Sequence, residues 1–185
     1  MMEELSMHIL DLFQNSIMAG ADRIEFCLKI DPEKDLLTFQ IKDNGCGMDK
    51  EELKNCLDPF YSSRKKKVGL GIPLLKLAAE QCEGSLRVES EKGKGTNVSC
   101  QMKLSHIDRP PIGDLPGTLL GIITSYPELN FVFSIEVGKD RFEISTERLK
   151  KELEDVPINH PEVVAFLKKL FYEEISKIFR KYRVI

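Results

Sequence analysis

The stretch IKDNGCGM, residues 41–48, constrains the fold most, because two glycines two residues apart follow directly on an alternating apolar run. That run, LLTFQIKD, predicts a strand that delivers Asp43 at its end. The glycines permit a tight turn, and they also let the backbone approach a flat ring closely. The residues alone are therefore consistent with an ordinary turn or with a base-binding site that uses the Asp43 carboxylate.

The composition excludes several classes of protein. The 185 residues are 42% hydrophobic and 31% charged, as expected of a globular chain. A net charge of -3 provides no basic field for nucleic acid. No apolar run approaches the roughly 20 residues that span a bilayer, so we expect no membrane association. The five cysteines form no CxxC pair, which favours reduced thiols and a cytoplasmic location over disulfides or a metal site.

Residues 1–108 are predicted to form one α+β domain. A helix over residues 3–20 places Asp11 and Asn15 one turn apart on one face. Two strands, a short helix with Asp49 as N-cap, a helix over IPLLKLAAEQC and two further strands follow it. We expect a two-layer α/β sandwich, in which a mixed or antiparallel sheet carries helices on one face.

A proline- and glycine-rich stretch, residues 106–117, predicts a boundary, and residues 109–185 are predicted to form a small α+β domain for dimerisation or partner docking. TLLGIITSY, NFVFSIEV and RFEIS are predicted as strands, followed by a helix capped by Thr146. The final helix is predicted to begin with Asn159 and Glu162 in capping-box spacing. Its wide apolar stripe predicts packing on its own sheet or a homodimer. The stripe comprises Val164, Leu167, Leu170, Phe171, Ile175 and Ile178.

Four stretches occur in a fixed order: DLFQNSIMAGA, DNGCGM, a basic loop that ends in GLG, and GKGTNVSC. Together they resemble the GHKL superfamily of ATP-binding domains, with its N box, G1 box, G2 box and closing glycine–threonine motif. The resemblance covers residues 3–104 and implies a Bergerat fold. DPFYSSR and the G2 region look closest to the histidine kinase catalytic domain, whereas DLFQNSIMAGA looks closer to the mismatch-repair and gyrase branch.

At the base end, the resemblance implies that Asp43 accepts a hydrogen bond from the amino group of adenine. Gly45 and Gly47 would let the backbone approach the ring, beside Met48. Thr96 would help to hold the cluster of carboxylate, water and adenine. A buried carboxylate there would reject guanine, whose carbonyl oxygen leaves the acceptor without a donor.

At the phosphate end, the resemblance implies that Asn15 is a ligand of Mg²⁺, an ion that prefers oxygen ligands. Gly69, Leu70 and Gly71 would open a helix whose first N–H groups face the phosphates. One or two members of a basic lid would reach the β- or γ-phosphate, and that lid comprises Ser63, Arg64, Lys65, Lys66 and Lys67. Two positions depart from the family pattern: Met18 replaces the N-box lysine of histidine kinases, and Lys67 occupies the first glycine of the G2 box.

Asp11 is the candidate catalytic residue. It stands where many histidine kinases have an amide and where families that activate a hydroxyl group have a glutamate. A carboxylate can orient and deprotonate an attacking oxygen. Aspartate is one methylene shorter than glutamate, so its reach predicts an extra water or a slow reaction. His8 shares this face, but the acceptor histidine of the family lies in a separate helical hairpin, and we do not expect His8 to be phosphorylated.

Three functions stay open at this point. The first is a kinase-like phosphotransfer module that binds ATP and Mg²⁺ and passes the γ-phosphoryl group to a serine or threonine of a partner protein, as anti-sigma-factor kinases do. The second is a slow ATPase that switches conformation and dimerisation. The third is a nucleotide-sensing module without turnover. Labelled protein, free phosphate, or binding alone distinguishes the three.

Overall fold

The computed structural model describes residues 4–58 and 71–184. Within these ranges the chain forms six helices and six strands. The first part comprises α1 (Leu5–Met18), β1 (Arg23–Asp31), β2 (Leu36–Asp43), α2 (Lys50–Asn55), α3 (Gly71–Gln81), β3 (Ser85–Glu91) and β4 (Gly95–Lys103). The second part comprises α4 (Leu115–Ser125), β5 (Asn130–Val137), β6 (Asp140–Ser145), α5 (Thr146–Leu153) and α6 (Pro161–Tyr182).

All six strands belong to one sheet in the order β3-β4-β2-β1-β5-β6. Strands β1 and β5 run parallel, with Arg23 beside Asn130 and Ile30 beside Val137. The other neighbouring strands are antiparallel. The predicted α+β class with a mixed sheet is therefore confirmed.

The residues after 108 complete the sheet that the residues before them begin. Phe13 of α1 packs on Phe131 and Phe133 of β5, with ring centroids 6.1 and 5.7 Å apart. The two predicted segments share one sheet and one aromatic core. Whether residues 1–108 and 109–185 are separate folding units stays a prediction.

The sheet buries one face, as the period of two in its sequence requires. In β2 the buried side chains are Leu37, Phe39 and Ile41, and Asp43 continues the same phase. In β4 the buried positions Val98, Cys100 and Met102 follow Thr96, again in phase. The alternation thus turns Asp43 and Thr96 toward the helical layer, whose helix α1 buries Leu5, Ile9, Leu12 and Phe13.

The prediction of a strand over TLLGIITSY was wrong, because this segment forms α4. Asp114 caps the helix by accepting a hydrogen bond from Gly117 N–H at 3.0 Å, and Pro116 lies in the first turn, where a missing N–H costs little. The buried positions recur at helical spacing and are Leu115, Leu119, Leu120, Ile122 and Ile123. Packing against α1 and α6 thus outweighs the strand propensity of the β-branched residues.

Helix α6 buries its apolar stripe within the chain, against α4, β5 and β6. Leu167, Phe171, Ile175 and Ile178 of the predicted stripe are buried, and Val164 and Leu170 are half-buried. Val163 and Phe179, which the prediction did not include, are buried as well. This is the first of the two predicted alternatives, and the homodimer stays a prediction without support from this stripe. Two predicted caps were wrong: Ser145, not Thr146, precedes α5, and His160, not Asn159, precedes α6.

The chemistry of the thiols fits the absence of paired cysteine motifs. All five cysteines are free, and burial raises the pKa of Cys100 to about 12. Between residues 4–58 and 71–184, no helix combines the length and apolar character needed to cross a bilayer. The same ranges hold no cluster of three or more His, Cys, Asp or Glu side chains that could bind a metal ion.

Candidate functional site

Asp43 ends β2 as a buried carboxylate, 8% exposed. Its Oδ1 accepts hydrogen bonds from the backbone N–H groups of Gly45 and Thr96, at 2.9 and 3.2 Å. Its Oδ2 accepts a hydrogen bond from the Ser16 hydroxyl at 2.7 Å. A buried carboxylate is costly unless donors surround it, so these three donors account for its stable placement.

The turn after Asp43 lies directly against the end of α1 and the β3–β4 turn. A Cβ atom on Gly45 would stand 2.9 Å from both the Cβ and the carbonyl oxygen of Ala19. Gly47 has φ +61°, and a Cβ there would overlap the carbonyl of Glu91. Both positions require glycine, for close approach at Gly45 and for close approach and conformation at Gly47.

Ser90 of β3 joins this turn to strand β4. Its Oγ accepts a hydrogen bond from Met48 N–H at 2.8 Å and lies 2.9 Å from the hydroxyl of Thr96. The N–H of Gly93 donates to the carbonyl of Cys46 at 2.8 Å. The loop after β2 is therefore fixed on both sides, which is the preorganisation that a ligand site needs.

Asp11 and Asn15 form a second polar group on α1. Asn15 Nδ2 donates to Asp11 Oδ2 at 3.3 Å, which confirms that the two side chains lie one turn apart on one face. A Cβ on Gly71, the first residue of α3, would overlap the Asp11 carboxylate, so that carboxylate lies against the start of α3. Partial burial raises the pKa of Asp11, and the hydrogen bond from Asn15 opposes this rise.

Helix α1 connects the two groups. Ser16 directs its hydroxyl to Asp43, whereas Asn15 donates to Asp11, whose carboxylate lies against the start of α3. The Asp43 end offers a hydrogen-bond acceptor beside close-packed glycine backbone, which suits a flat ring that carries an amine. The other end offers side-chain oxygens beside a helix N-terminus, which suits a cation and an anion together.

The structure brings eight of the predicted site residues into these two groups. The described members are Asp11, Asn15, Asp43, Gly45, Gly47, Met48, Gly71 and Thr96. The remaining members lie outside the described residues and are Ser63, Arg64, Lys67, Gly69 and Leu70.

Two contributors to the site were missed from the sequence, Ser16 and Ser90. Each is a polar residue at a position where the inward-facing side of its helix or strand otherwise carries apolar residues. Ser16 follows Leu12 by one helical turn on the buried stripe of α1, and Ser90 follows Val88 on the inward phase of β3. A hydroxyl at a buried periodic position signals a partner that only the fold identifies.

His8 lies in α1 and is 2% exposed, and its Nδ1 has no hydrogen-bond partner among the residues that the structure describes. Burial lowers its pKa, because the interior disfavours the imidazolium form. An imidazole enclosed in this way is poorly placed to receive a phosphoryl group, in line with the expectation from sequence.

Comparison with known families gives a match over this same part of the chain. The model of the family described as "Histidine kinase-, DNA gyrase B-, and HSP90-like ATPase" matches residues 3–106. The matched segment runs from α1 to β4 and contains every predicted site residue.

Individual relatives share only segments with the chain. Sporulation kinase C of Bacillus subtilis is 45% identical over 58 residues, which cover 31% of this chain and 14% of that kinase. The anti-sigma F factor of Clostridium acetobutylicum is 27% identical over 112 residues, covering 57% of this chain and 73% of that protein. Among solved structures, the N-terminal domain of a DNA repair protein superposes with a TM-score of 0.56 at 16% identity, over 77% of this chain and 52% of that one. The chain therefore spans a small fraction of the length of sporulation kinase C, and the structural match concerns the fold alone.

Proposed function

Because the chain belongs to the family of histidine kinase-, DNA gyrase B- and HSP90-like ATPases, we propose that it is a kinase-like module that transfers the γ-phosphoryl group of ATP to a partner protein. ATP binding, typically with Mg²⁺, is a property of this family. The observation that carries the proposal is the Asp11 carboxylate, held by Asn15 against the start of α3. Kinases and an anti-sigma factor among the similar proteins, by their names, support a regulatory role.

The Asp43 end fits an adenine base. Its buried carboxylate accepts hydrogen bonds and cannot donate one while ionised, so an exocyclic amine is the matching ligand group. Gly45 and Gly47 let the turn after β2 pack directly on Ala19 and Glu91, which fixes this turn beside the Asp43 carboxylate. Met48 and Thr96, both joined through Ser90, would line the same end.

The other end fits phosphates and a divalent ion. The start of α3 presents backbone N–H groups at Gly71, and such groups favour anions. The Asn15 side-chain oxygen would hold Mg²⁺ beside the phosphates. When bound, that ion would neutralise the charge of the triphosphate. Contacts from Ser63, Arg64 and Lys67 of the lid, and from the backbone at Gly69 and Leu70, are part of the proposal.

Asp11 would serve as the base. The acceptor hydroxyl oxygen attacks the γ-phosphorus, the bond from that phosphorus to the bridging oxygen breaks, ADP departs, and the hydroxyl proton passes to the Asp11 carboxylate. Burial, which raises the pKa of Asp11, makes this carboxylate a stronger base than an exposed aspartate. Asn15 orients it through the hydrogen bond to Oδ2.

Two other functions use the same site. In a slow ATPase switch, water takes the place of the acceptor hydroxyl, and the shared core of α1 and β5 would carry the change to the C-terminal segment. In a sensor, the shorter side chain of Asp11 would leave bound ATP intact. The three functions differ in what accepts the γ-phosphoryl group: a protein hydroxyl in the kinase, water in the ATPase and nothing in the sensor.

The test incubates the full chain with γ-labelled ATP and Mg²⁺, with and without a library of serine- and threonine-containing peptides. Wild type is compared with Asp11→Asn, Asn15→Ala and the matched control Gln14→Ala, an exposed residue of the same helix. Labelled peptide that depends on Asp11 supports the kinase, whereas free phosphate alone supports the ATPase. If ATP protects the fold against heat but neither labelled peptide nor free phosphate forms, the kinase and the ATPase are both excluded and the sensor is supported.

A further inference from the structure

We propose that Ser16 is a positioning residue that sets the base specificity of the site, by leaving the Asp43 carboxylate one open acceptor position for an exocyclic amine. This inference rests on the proposed binding of ATP and assigns a role to a side chain that the sequence motifs left without one. Ser16 is 4% exposed, and its hydroxyl donates to Asp43 Oδ2 at 2.7 Å.

The acceptor positions of Asp43 can be counted. An ionised carboxylate has about four lone-pair positions, two on each oxygen. Oδ1 already accepts from Gly45 and Thr96 N–H groups, so both of its positions are occupied. Oδ2 accepts only from Ser16 among the described hydrogen bonds, which leaves one position on that oxygen. A ligand amine therefore meets a single acceptor whose direction is fixed.

Ser16 differs from the other two donors because it is a side chain. The N–H groups of Gly45 and Thr96 are held by the turn after β2 and by the start of β4, and side-chain replacement does not remove them. Removal of the Ser16 hydroxyl leaves both positions on Oδ2 open. The carboxylate then loses the contact that fixes Oδ2. With two open positions on this oxygen, the amine of the ligand has no single preferred direction of approach.

The chemical consequence concerns which base is accepted. With Ser16 present, a purine that carries a 6-amino group makes the fourth hydrogen bond. A purine with hydrogen at that position leaves the acceptor unpaired, and a 6-keto purine sets oxygen against oxygen. Because Ser16 follows Asn15 directly, the same contact also fixes the part of α1 that carries the phosphate-end residues.

The test measures dissociation constants by calorimetry for ATP and for purine riboside 5′-triphosphate, which lacks the 6-amino group. Wild type should prefer ATP. In Ser16→Ala, this preference should fall about tenfold, mainly through weaker binding of ATP. Ser16→Thr, which keeps the hydroxyl, should retain more of the preference than Ser16→Ala. Ser6→Ala is the matched control, since Ser6 is equally buried on α1 but donates to Glu4.

Several outcomes would overturn the inference. An unchanged preference in Ser16→Ala, or an equal loss of affinity for both triphosphates, would reduce Ser16 to a structural residue. If Ser16→Ala does not fold, Ser16→Cys takes its place, because cysteine is close to serine in size and is a weaker hydrogen-bond donor. Ser16→Cys must then lower the preference for ATP over purine riboside 5′-triphosphate. If the wild type binds neither triphosphate, the proposed ATP binding itself is refuted. If the wild type and the Ser16 variants all prefer ATP to the same extent, only the role of Ser16 is refuted.

Discussion

Phe13 of α1 packs edge-on against Phe133 of β5, with ring centroids 5.7 Å apart and ring planes inclined by 75°. Phe13 belongs to the helix that carries Asp11 and Asn15, and Phe133 belongs to the segment after residue 108. Phe133 in turn contacts Phe171 of α6, 6.5 Å away. The C-terminal segment thus supplies part of the core on which the helix of the site rests.

This contact predicts that a substitution in the C-terminal segment destabilises the whole chain. Phe133→Ala should lower the free energy of unfolding by about 3–5 kcal/mol, because it opens a cavity among buried rings. Urea denaturation followed by circular dichroism would measure the loss. Phe166→Ala is the control, because Phe166 is 60% exposed and its loss should change stability by less than about 0.5 kcal/mol. Two separate unfolding transitions, of which Phe133→Ala moves one, would contradict a shared core.

Asp11→Asn should raise the stability of the folded chain and lower its activity. The variant removes a carboxylate whose pKa burial raises, so the folded protein should gain stability at neutral pH while phosphate release or transfer is lost. The side chain keeps its size and can still accept the hydrogen bond from Asn15. For a chain of this size, each 1 kcal/mol would raise the midpoint of thermal unfolding by about 2–4 °C.

The sign of this effect fixes its pH dependence. A raised pKa in the folded state means that the Asp11 contribution to stability is fully present below the ordinary pKa of aspartate and is lost as the pH rises through the folded value. The advantage of Asp11→Asn over wild type should therefore grow from acidic to neutral pH and then level off. Thermal unfolding of both proteins across this range checks it. A constant difference at all pH values would show that titration of Asp11 is not its source.

Gly47→Ala should be far more damaging than Gly93→Ala. Both glycines have positive φ, +61° and +81°, so each alanine meets a backbone strain of about 1 kcal/mol. A Cβ at Gly47 also overlaps the carbonyl of Glu91, whereas a Cβ at Gly93 would have no atom of the described residues within 4 Å. Gly47→Ala should lose ATP binding as well as stability, and Gly93→Ala should keep ATP binding. Equal effects of the two variants would remove close packing as the reason for glycine at position 47.

Asp43→Asn should weaken ATP binding by tenfold or more. The amide replaces one acceptor oxygen with an NH₂ group, which faces either the existing donors or the incoming amine. Calorimetric titration of ATP would measure the loss. Asp35→Asn is the control, because Asp35 precedes the opposite end of β2 and accepts hydrogen bonds from Ser105. Unchanged affinity in Asp43→Asn would remove this carboxylate from the proposed base site.

The sequence predicted the strand that ends at Asp43 and the glycine turn that follows it, because strand alternation and glycine turns are local signals. Asp43 follows Ile41 in a period of two, and that period alone assigns it to the buried face. The pairing of Asp11 with Asn15 was equally local, since four residues make one helical turn. These features depend on neighbours in sequence and not on the arrangement of distant elements.

The features that escaped prediction depend on distant partners. Ser16 and Asp43 are 27 residues apart, and nothing in the period of α1 identifies the acceptor of the hydroxyl. The misassigned strand over TLLGIITSY shows a related failure. Its β-branched residues favour a strand locally, whereas the cap at Asp114 and burial against α6 make it the helix α4.

The parallel pairing of β1 with β5 has a consequence for synthesis on the ribosome. Strand β1 is complete at Asp31, but its partner begins at Asn130, about a hundred residues later. Until that partner emerges, one edge of β1 lacks a neighbour and the ring of Phe13 lacks Phe133. Such a nascent chain exposes an unpaired strand edge and an incomplete core. The helix that carries the site residues is therefore fully packed only in the last stage of translation.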